Sequence, residues 1–168
     1  MKTAKTVKTA SRNLVSQALE GYARRGIFRS YSRVAAEGAA IKGVTEFRFL
    51  WLTPVAVHVI FDAIRDTLTF QDLLPAMPRD SELARELKEF IKSCTAEDRP
   101  EHRRLNPDRL GVAFRNRRGN LSLIFRVQPD DHEYGVRKAV NLVNEIFLSF
   151  LAVYHAPYMV KHFQASEE

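Results

Sequence analysis

Arginines in the second half of the chain are the residues best suited to bind another molecule. Between Arg99 and Arg126 there are eight arginines against two carboxylates, Glu101 and Asp108, and eight minus two gives +6, the net charge of the whole protein. Guanidinium groups bind phosphates and carboxylates through paired hydrogen bonds. One hypothesis is therefore a site for the phosphates of a nucleic acid, RNA in particular. Its candidate anion-binding residues are Arg103, Arg104, Arg109, Arg117 and Arg118.

Other features of the same segment argue against nucleic acid as the first choice. Single-strand platforms stack bases on exposed aromatic rings, whereas the two aromatic residues beside these arginines, Phe114 and Phe125, fall at positions predicted to be buried. Neither an RNA-recognition aromatic motif nor a helix-turn-helix can be identified. Nucleic-acid binding is therefore the alternative hypothesis rather than the main one.

Catalysis is a weaker hypothesis than either kind of binding. His58 and Asp62 fall on the same face of a predicted strand and could share a proton, but no nucleophile can be assigned to them. The remaining histidines lack metal-ligand spacing, since His102 lies among arginines and Pro157 separates His155 from His162. We therefore expect no catalytic residue, no metal and no cofactor.

The only cysteine, Cys94, falls on the apolar stripe of a predicted helix. A single cysteine excludes an intrachain disulfide framework. At that position a buried, unreactive side chain is expected.

The arginines at 115, 117 and 118 lie in a predicted β-hairpin over residues 110–127. Large apolar residues alternate on both sides of a polar tip, which is typical of strands with one buried face. Pairing Phe114 with Leu123 and Val112 with Phe125 places all of them on one face. That register requires a loop of two residues, Arg118 and Gly119, or of four, 117–120, and Gly119 supplies the positive φ that such loops need.

The rest of the chain supplies three further strands and three helices. A helix is predicted from about Ser11 to Arg25, followed by strands over 27–35, 44–52 and 55–62. A second helix begins at Asp80 or Ser81, both good N-caps, and a polar loop follows it. Asp130 and Glu133 have the spacing of a capping box before a long helix that ends ahead of Pro157.

These elements define an α+β protein in the order α-β-β-β-α-β-β-α, with one antiparallel sheet and helices on one of its faces. We expect a flexible basic leader over residues 1–10 and a single domain over 11–168. The predicted core comprises Phe47, Phe49, Val57, Val59, Leu123, Phe125, Val143, Phe147 and Phe150.

This order of elements resembles that of type III secretion chaperones and the YbjN-like bacterial proteins. The segments PEHRRLNPDR, RNRRGNLSL and NLVNEIFLSFL also resemble an uncharacterised family of small bacterial proteins. The resemblance to the chaperone-like group implies dimerisation and capture of extended protein segments without catalysis. Surfaces in that group are typically acidic, and the basic charge of this chain departs from that pattern.

The main hypothesis is therefore a non-catalytic protein-binding or chaperone-like module. Its contact surface is predicted to be the outer face of the sheet, the face opposite the helices, because apolar residues ringed by arginine are typical of interfaces. The candidate partner-binding residues are Arg29, Tyr31, Arg33, Arg48, Ile60, Arg115, Ile124 and Arg126. The partner is expected to be another protein or a second copy of the chain.

The location expected for the protein is cytoplasmic, with no membrane partner. No apolar run approaches the ~18 to 20 residues that a membrane-spanning helix needs. The basic N-terminal segment is not followed by the apolar core of a secretory signal.

Overall fold

The computed structural model describes residues 4–35 and 43–163. Helix α1 (Ala4–Arg24) precedes strands β1 (Arg29–Ala35), β2 (Val44–Trp51), β3 (Thr53–Asp62) and β4 (Thr67–Leu74). Helix α2 (Glu82–Ser93) and a short 3-10 helix (Glu101–Arg103) then lead to β5 (Leu110–Arg117) and β6 (Asn120–Val127). Helix α3 (His132–Glu145) continues as a π-helix (Ile146–Tyr154), and α4 (Ala156–Phe163) follows it. The α+β class is confirmed.

The six strands form one antiparallel sheet in the order β1-β2-β3-β4-β6-β5. No strand is predicted from the sequence for residues 67–74, where the structure has β4. The alternation of buried and polar residues in β4 is too short to predict a strand. Leu68 and Phe70 are buried, but the register with β6 shifts before Leu74. Strand β4 lies between β3 and β6, and the chain crosses to the sheet edge through α2 before β5 begins.

The predicted hairpin register is confirmed. Phe114 pairs with Leu123 and Val112 pairs with Phe125. Arg117 pairs with Asn120, so the loop is the two-residue alternative. Arg118 and Gly119 both have positive φ, 55° and 82°, as expected for a turn whose twist matches that of the strands.

The helices pack on the sheet face that presents Phe47, Phe49, Val59 and Phe125, and every predicted core residue is buried. Phe28, which follows α1, stacks on Phe49 with ring centroids 3.9 Å apart. Phe28 therefore covers Phe49 on the helix side of the sheet.

Helix α3 lies against β6 at a glycine. A Cβ on Gly135 would stand 2.7 and 2.9 Å from the two methyl carbons of Val127. The absence of a side chain at Gly135 is therefore what allows α3 to approach the sheet so closely.

Helix α1 begins at Ala4, before the predicted start at about Ser11, so it extends into the segment predicted to be a leader. No proline or glycine interrupts the chain between Ala4 and Ser11. Once a helix has formed, adding further residues at its end costs little free energy. The division of the chain into a leader and one domain stays a prediction.

The capping box predicted at the start of α3 is wrong. The N-cap is Asp131, and its side chain makes no capping hydrogen bond. Both of its carboxylate oxygens instead accept hydrogen bonds from Arg109, each at 2.7 Å. By contrast, Ser81, one of the two predicted N-caps of α2, is its N-cap, and its hydroxyl accepts from the backbone N–H of Ala84 at 3.1 Å.

Among the described residues, no single helix is both long and apolar enough to cross a bilayer. His132–Tyr154 and Ala156–Phe163 reach that length and composition only when taken together, across a bend of 116°.

Candidate functional site

The outer face of the sheet carries its side chains in rows, because cross-strand partners share a face. A central row crosses five strands and has an apolar or small residue on four of them. It consists of Glu46 on β2, Ile60 on β3, Thr69 on β4, Ile124 on β6 and Ala113 on β5. Ile60, Ile124 and Ala113 are partly exposed, whereas Thr69 is buried at 8% exposure, so the row is accessible at its three apolar positions.

Arginines flank the central row on both sides. One neighbouring row contains Asp62, Thr67 and Arg126, and the other contains Arg48, His58 and Gln71, with Arg115 further along it on β5. Successive rows are about 7 Å apart, since residues two positions apart on a strand share a face. Arg48, Arg115 and Arg126 are exposed.

The guanidinium groups of these three arginines have no ion pair or hydrogen bond within residues 4–35 and 43–163. Arg29 joins them at the sheet edge, where it pairs with Leu50. Within these three rows the carboxylates are Glu46 and Asp62. The outer face is therefore cationic, with an apolar centre.

Two residues predicted for the outer face lie on the opposite one. Tyr31 faces the helices, where its ring lies 6.2 Å from that of Phe47, and Arg33 pairs with Phe47 on the same side. The cause is a register shift between Arg29 and Ser32, where Ser30 has φ of 51°. Such a bulge reverses the alternation of side chains beyond it. Burial raises the pKa of Tyr31 to about 12.

His58 and Asp62 do share the outer face, as predicted, but Asp62 has a structural role. Its Oδ1 accepts hydrogen bonds from the backbone N–H groups of Ile64 at 2.9 Å and Arg65 at 3.1 Å. The carboxylate therefore holds the turn between β3 and β4.

Three of the predicted anion-binding arginines have partners within the chain. Arg103 bonds Glu145 at 3.3 Å, Arg104 donates to the carbonyl of Glu97 at 3.2 Å, and Arg109 forms the bidentate pair with Asp131. The hydrogen bonds from Arg109, which outweigh partial burial, hold the pKa of Asp131 below its ordinary value. The Arg109 guanidinium also lies 3.5 Å from the ring centroid of Tyr134.

Arg117 and Arg118 project from the hairpin tip, apart from the other three. Both are exposed, and their side chains have no ion pair with the described residues. The backbone of the tip is hydrogen-bonded to the loop that precedes α2, because the backbone N–H of Met77 donates to the Gly119 carbonyl at 2.7 Å. The structure thus divides the predicted anion-binding set into two separate groups.

His155 and His162 contact neighbouring side chains, Cys94 is buried, and His102 is exposed. His155 Nε2 is 2.8 Å from Glu86 Oε2, and His162 lies against the ring of Tyr158. Cys94 is buried as predicted, and burial raises the pKa of its thiol. Within the described residues, no group of three or more histidine, cysteine or acidic side chains is arranged to hold a metal ion.

A cleft beside Arg109 was not predicted from the sequence. Its lining includes Arg104, Arg109, Tyr134, Arg137 and Lys138, from α3 and the loop before β5. A signal was present in the printed sequence: Tyr134 and Lys138 are four residues apart and therefore share a side of the helix. The structure adds that Lys138 is buried, which is unusual for a lysine.

A scan against protein-family models, a search of curated proteins and a search of solved structures found no protein significantly similar to this chain.

Proposed function

We propose that this protein is a non-catalytic binding module, chaperone-like or adaptor-like, that holds an acidic segment of another protein on the outer face of its sheet. The observation that carries the proposal is the central row of Ile60, Thr69, Ile124 and Ala113, with Arg126 on one side and Arg48 and Arg115 on the other. Aliphatic contacts surrounded by arginines are typical of protein interfaces.

The charge of the outer face favours an acidic partner over a second copy of the same face. Arg29, Arg48, Arg115 and Arg126 outnumber Glu46 and Asp62 there. Two such faces in contact would bring arginines together, which is unfavourable in a desolvated interface. An extended acidic segment would place apolar side chains on the central row and carboxylates on the flanking arginines.

The proposal includes no catalytic step. Of the two polar residues that could exchange a proton on this face, Asp62 already accepts two backbone hydrogen bonds. Its carboxylate therefore contributes to the stability of the turn, and His58 is left as a polar contact on the surface.

The test is a binding measurement with a matched pair of charge-reversal variants. The probe is a fluorescent peptide in which pairs of glutamates alternate with pairs of valines, so that each face of an extended chain carries both residue types. Its binding is followed by anisotropy at low and physiological salt. We expect Arg48→Glu, Arg115→Glu and Arg126→Glu together to weaken binding at least about tenfold, since three charge-assisted contacts are lost. Higher salt should weaken binding to the unmodified protein.

The control reverses three cations on or just before α2, namely Arg79, Arg85 and Lys92, which are all exposed. It changes the net charge by the same amount but leaves the outer face intact, so peptide affinity should remain near that of the unmodified protein. An equal loss of peptide affinity in the two triple variants would show a non-specific charge effect and contradict the proposal. A single-stranded RNA that binds while the peptide does not would favour the nucleic-acid alternative.

A further inference from the structure

The cleft beside α3, called here the cationic cleft, is a second candidate site, distinct from the outer face. It has a volume of about 410 Å³, within the range of small-molecule pockets. Its charged lining consists of Arg104, Arg109, Arg137 and Lys138 against one carboxylate, Glu101. Arg109 is neutralised by Asp131, but the other three cations have no carboxylate partner among the described residues.

Lys138 is the most unusual of these groups because it is only 5% exposed. Its Nζ donates to two neutral acceptors, the backbone carbonyls of Glu101 at 2.9 Å and His102 at 3.1 Å. An ammonium group has three donors, so one is left over. Burial of a charge without a counter-charge is unfavourable.

The cationic neighbours of Lys138 increase this cost, while Glu101 and the ring of Tyr134, whose centroid lies 5.6 Å from Nζ, offset part of it. Burial lowers the pKa of the Lys138 ammonium, and the positive charge of Arg137 lowers it further. Arg109 and Arg104 act in the same direction, while Glu101 opposes them. The described residues around the cleft therefore compensate only part of its positive potential.

We infer that the cationic cleft binds the phosphate group of a small phosphorylated compound. A phosphate would supply the negative charge that Lys138 and Arg137 lack, and it would accept the spare donor of Lys138. Guanidinium groups such as those of Arg104 and Arg137 match the geometry of phosphate oxygens. The aromatic ring of Tyr134 forms a wall of the cleft, with Arg109 stacked on it.

The inference is tested by calorimetric titration of the full chain with inorganic pyrophosphate. We expect saturable binding at millimolar concentration or below, together with a higher melting temperature in the presence of pyrophosphate. Arg137→Gln and Arg104→Gln should each weaken binding about tenfold, as expected when one hydrogen bond between charged groups is lost. Arg85→Gln removes the same charge from an exposed position on α2 and should bind pyrophosphate like the unmodified protein.

A parallel titration with a single-stranded RNA oligonucleotide distinguishes a free phosphate compound from a nucleic-acid backbone. The inference is supported if pyrophosphate binds and if Arg137→Gln, but not Arg85→Gln, weakens that binding. It is overturned if pyrophosphate does not bind at millimolar concentration, if Arg85→Gln weakens binding as much as Arg137→Gln, or if only the RNA binds. Because none of these variants alters the outer face, the result is independent of peptide binding there.

Discussion

At the scale of single residues, the environment of each arginine decides what it can do. Arg109 illustrates this, because its guanidinium is held by both oxygens of Asp131 and lies over the ring of Tyr134. Arg99 is likewise held by Glu145 at 2.8 Å. Arg48 and Arg126 have the same chemistry but no such partner among the described residues. The first two arginines stabilise the fold, and the second two remain free to bind.

The ion pair between Arg109 and Asp131 makes a pH-dependent contribution to stability. Hydrogen bonding by Arg109 lowers the pKa of Asp131 from its ordinary value of 3.8. A carboxyl whose pKa is lower in the folded state stabilises the fold above its unfolded pKa, and the contribution is lost as pH falls through the folded pKa. We predict that Asp131→Asn lowers the urea midpoint at neutral pH, and that this difference decreases as pH falls below 3.8 and disappears below the lowered pKa of the folded state.

Asp130→Asn is the matched control, since Asp130 is exposed and has no ion pair with the described residues. Its urea midpoint should follow that of the unmodified protein at every pH. If the urea midpoint of Asp131→Asn differs from that of the unmodified protein by the same amount down to acid pH, the carboxylate acts through geometry rather than charge.

At the scale of elements, the C-terminal helices have one buried side and one exposed apolar side. Phe147 is 3% exposed and contacts Phe163, with ring centroids 5.1 Å apart. The next residue, Leu148, is 54% exposed. Both lie in the π-helix.

This contrast predicts very different effects for two neighbouring truncations. Phe147→Ala should destabilise the protein by ~3 to 5 kcal/mol, because it leaves a cavity in the core. Leu148→Ala should change stability by less than ~0.5 kcal/mol, as is usual for exposed positions. Urea denaturation at low protein concentration measures both without a contribution from subunit contacts. Similar losses for the two variants would mean that the inward side of the helix is misassigned.

At the scale of the whole molecule, two surfaces differ in how well they suit a second copy of the chain. The outer face carries like charges that oppose its contact with itself. The π-helix instead exposes Leu148, Val153 and Tyr154, at 54%, 66% and 75%. Leu148 and Val153 are five residues apart, the hydrogen-bond spacing of a π-helix, and therefore share a side. An uncharged apolar surface can meet its own copy without repulsion.

We therefore predict a homodimer that uses the exposed side of the C-terminal helices. Light scattering at high micromolar concentration should report a mass of two chains. Leu148→Glu with Val153→Glu should return the protein to a monomer, because charges would be buried in the contact. Arg115→Glu with Arg126→Glu should leave the dimer intact. A monomer before any substitution, or a dimer broken by the arginine changes alone, would contradict this assignment.

The sequence by itself determined the features that depend on local periodicity. Alternation over residues 110–127 specified the hairpin and its register, because a slip by one residue would move Phe114 and Phe125 to the wrong face. The same rule identified Phe47 and Phe49 as core. Helical spacing placed Phe147 inward in the same way. These patterns also specified the α+β class.

Only the tertiary structure decided the features that join distant parts of the chain. It inserted β4 between β3 and β6, and a bulge near Ser30 moved Tyr31 and Arg33 to the helix side. It also brought Asp131 to Arg109 and placed Lys138 against the carbonyls of Glu101 and His102. The periodicity of apolar residues predicts which side of its own helix or strand a residue occupies. Which arginines find partners depends on contacts between elements, and no local pattern encodes those contacts.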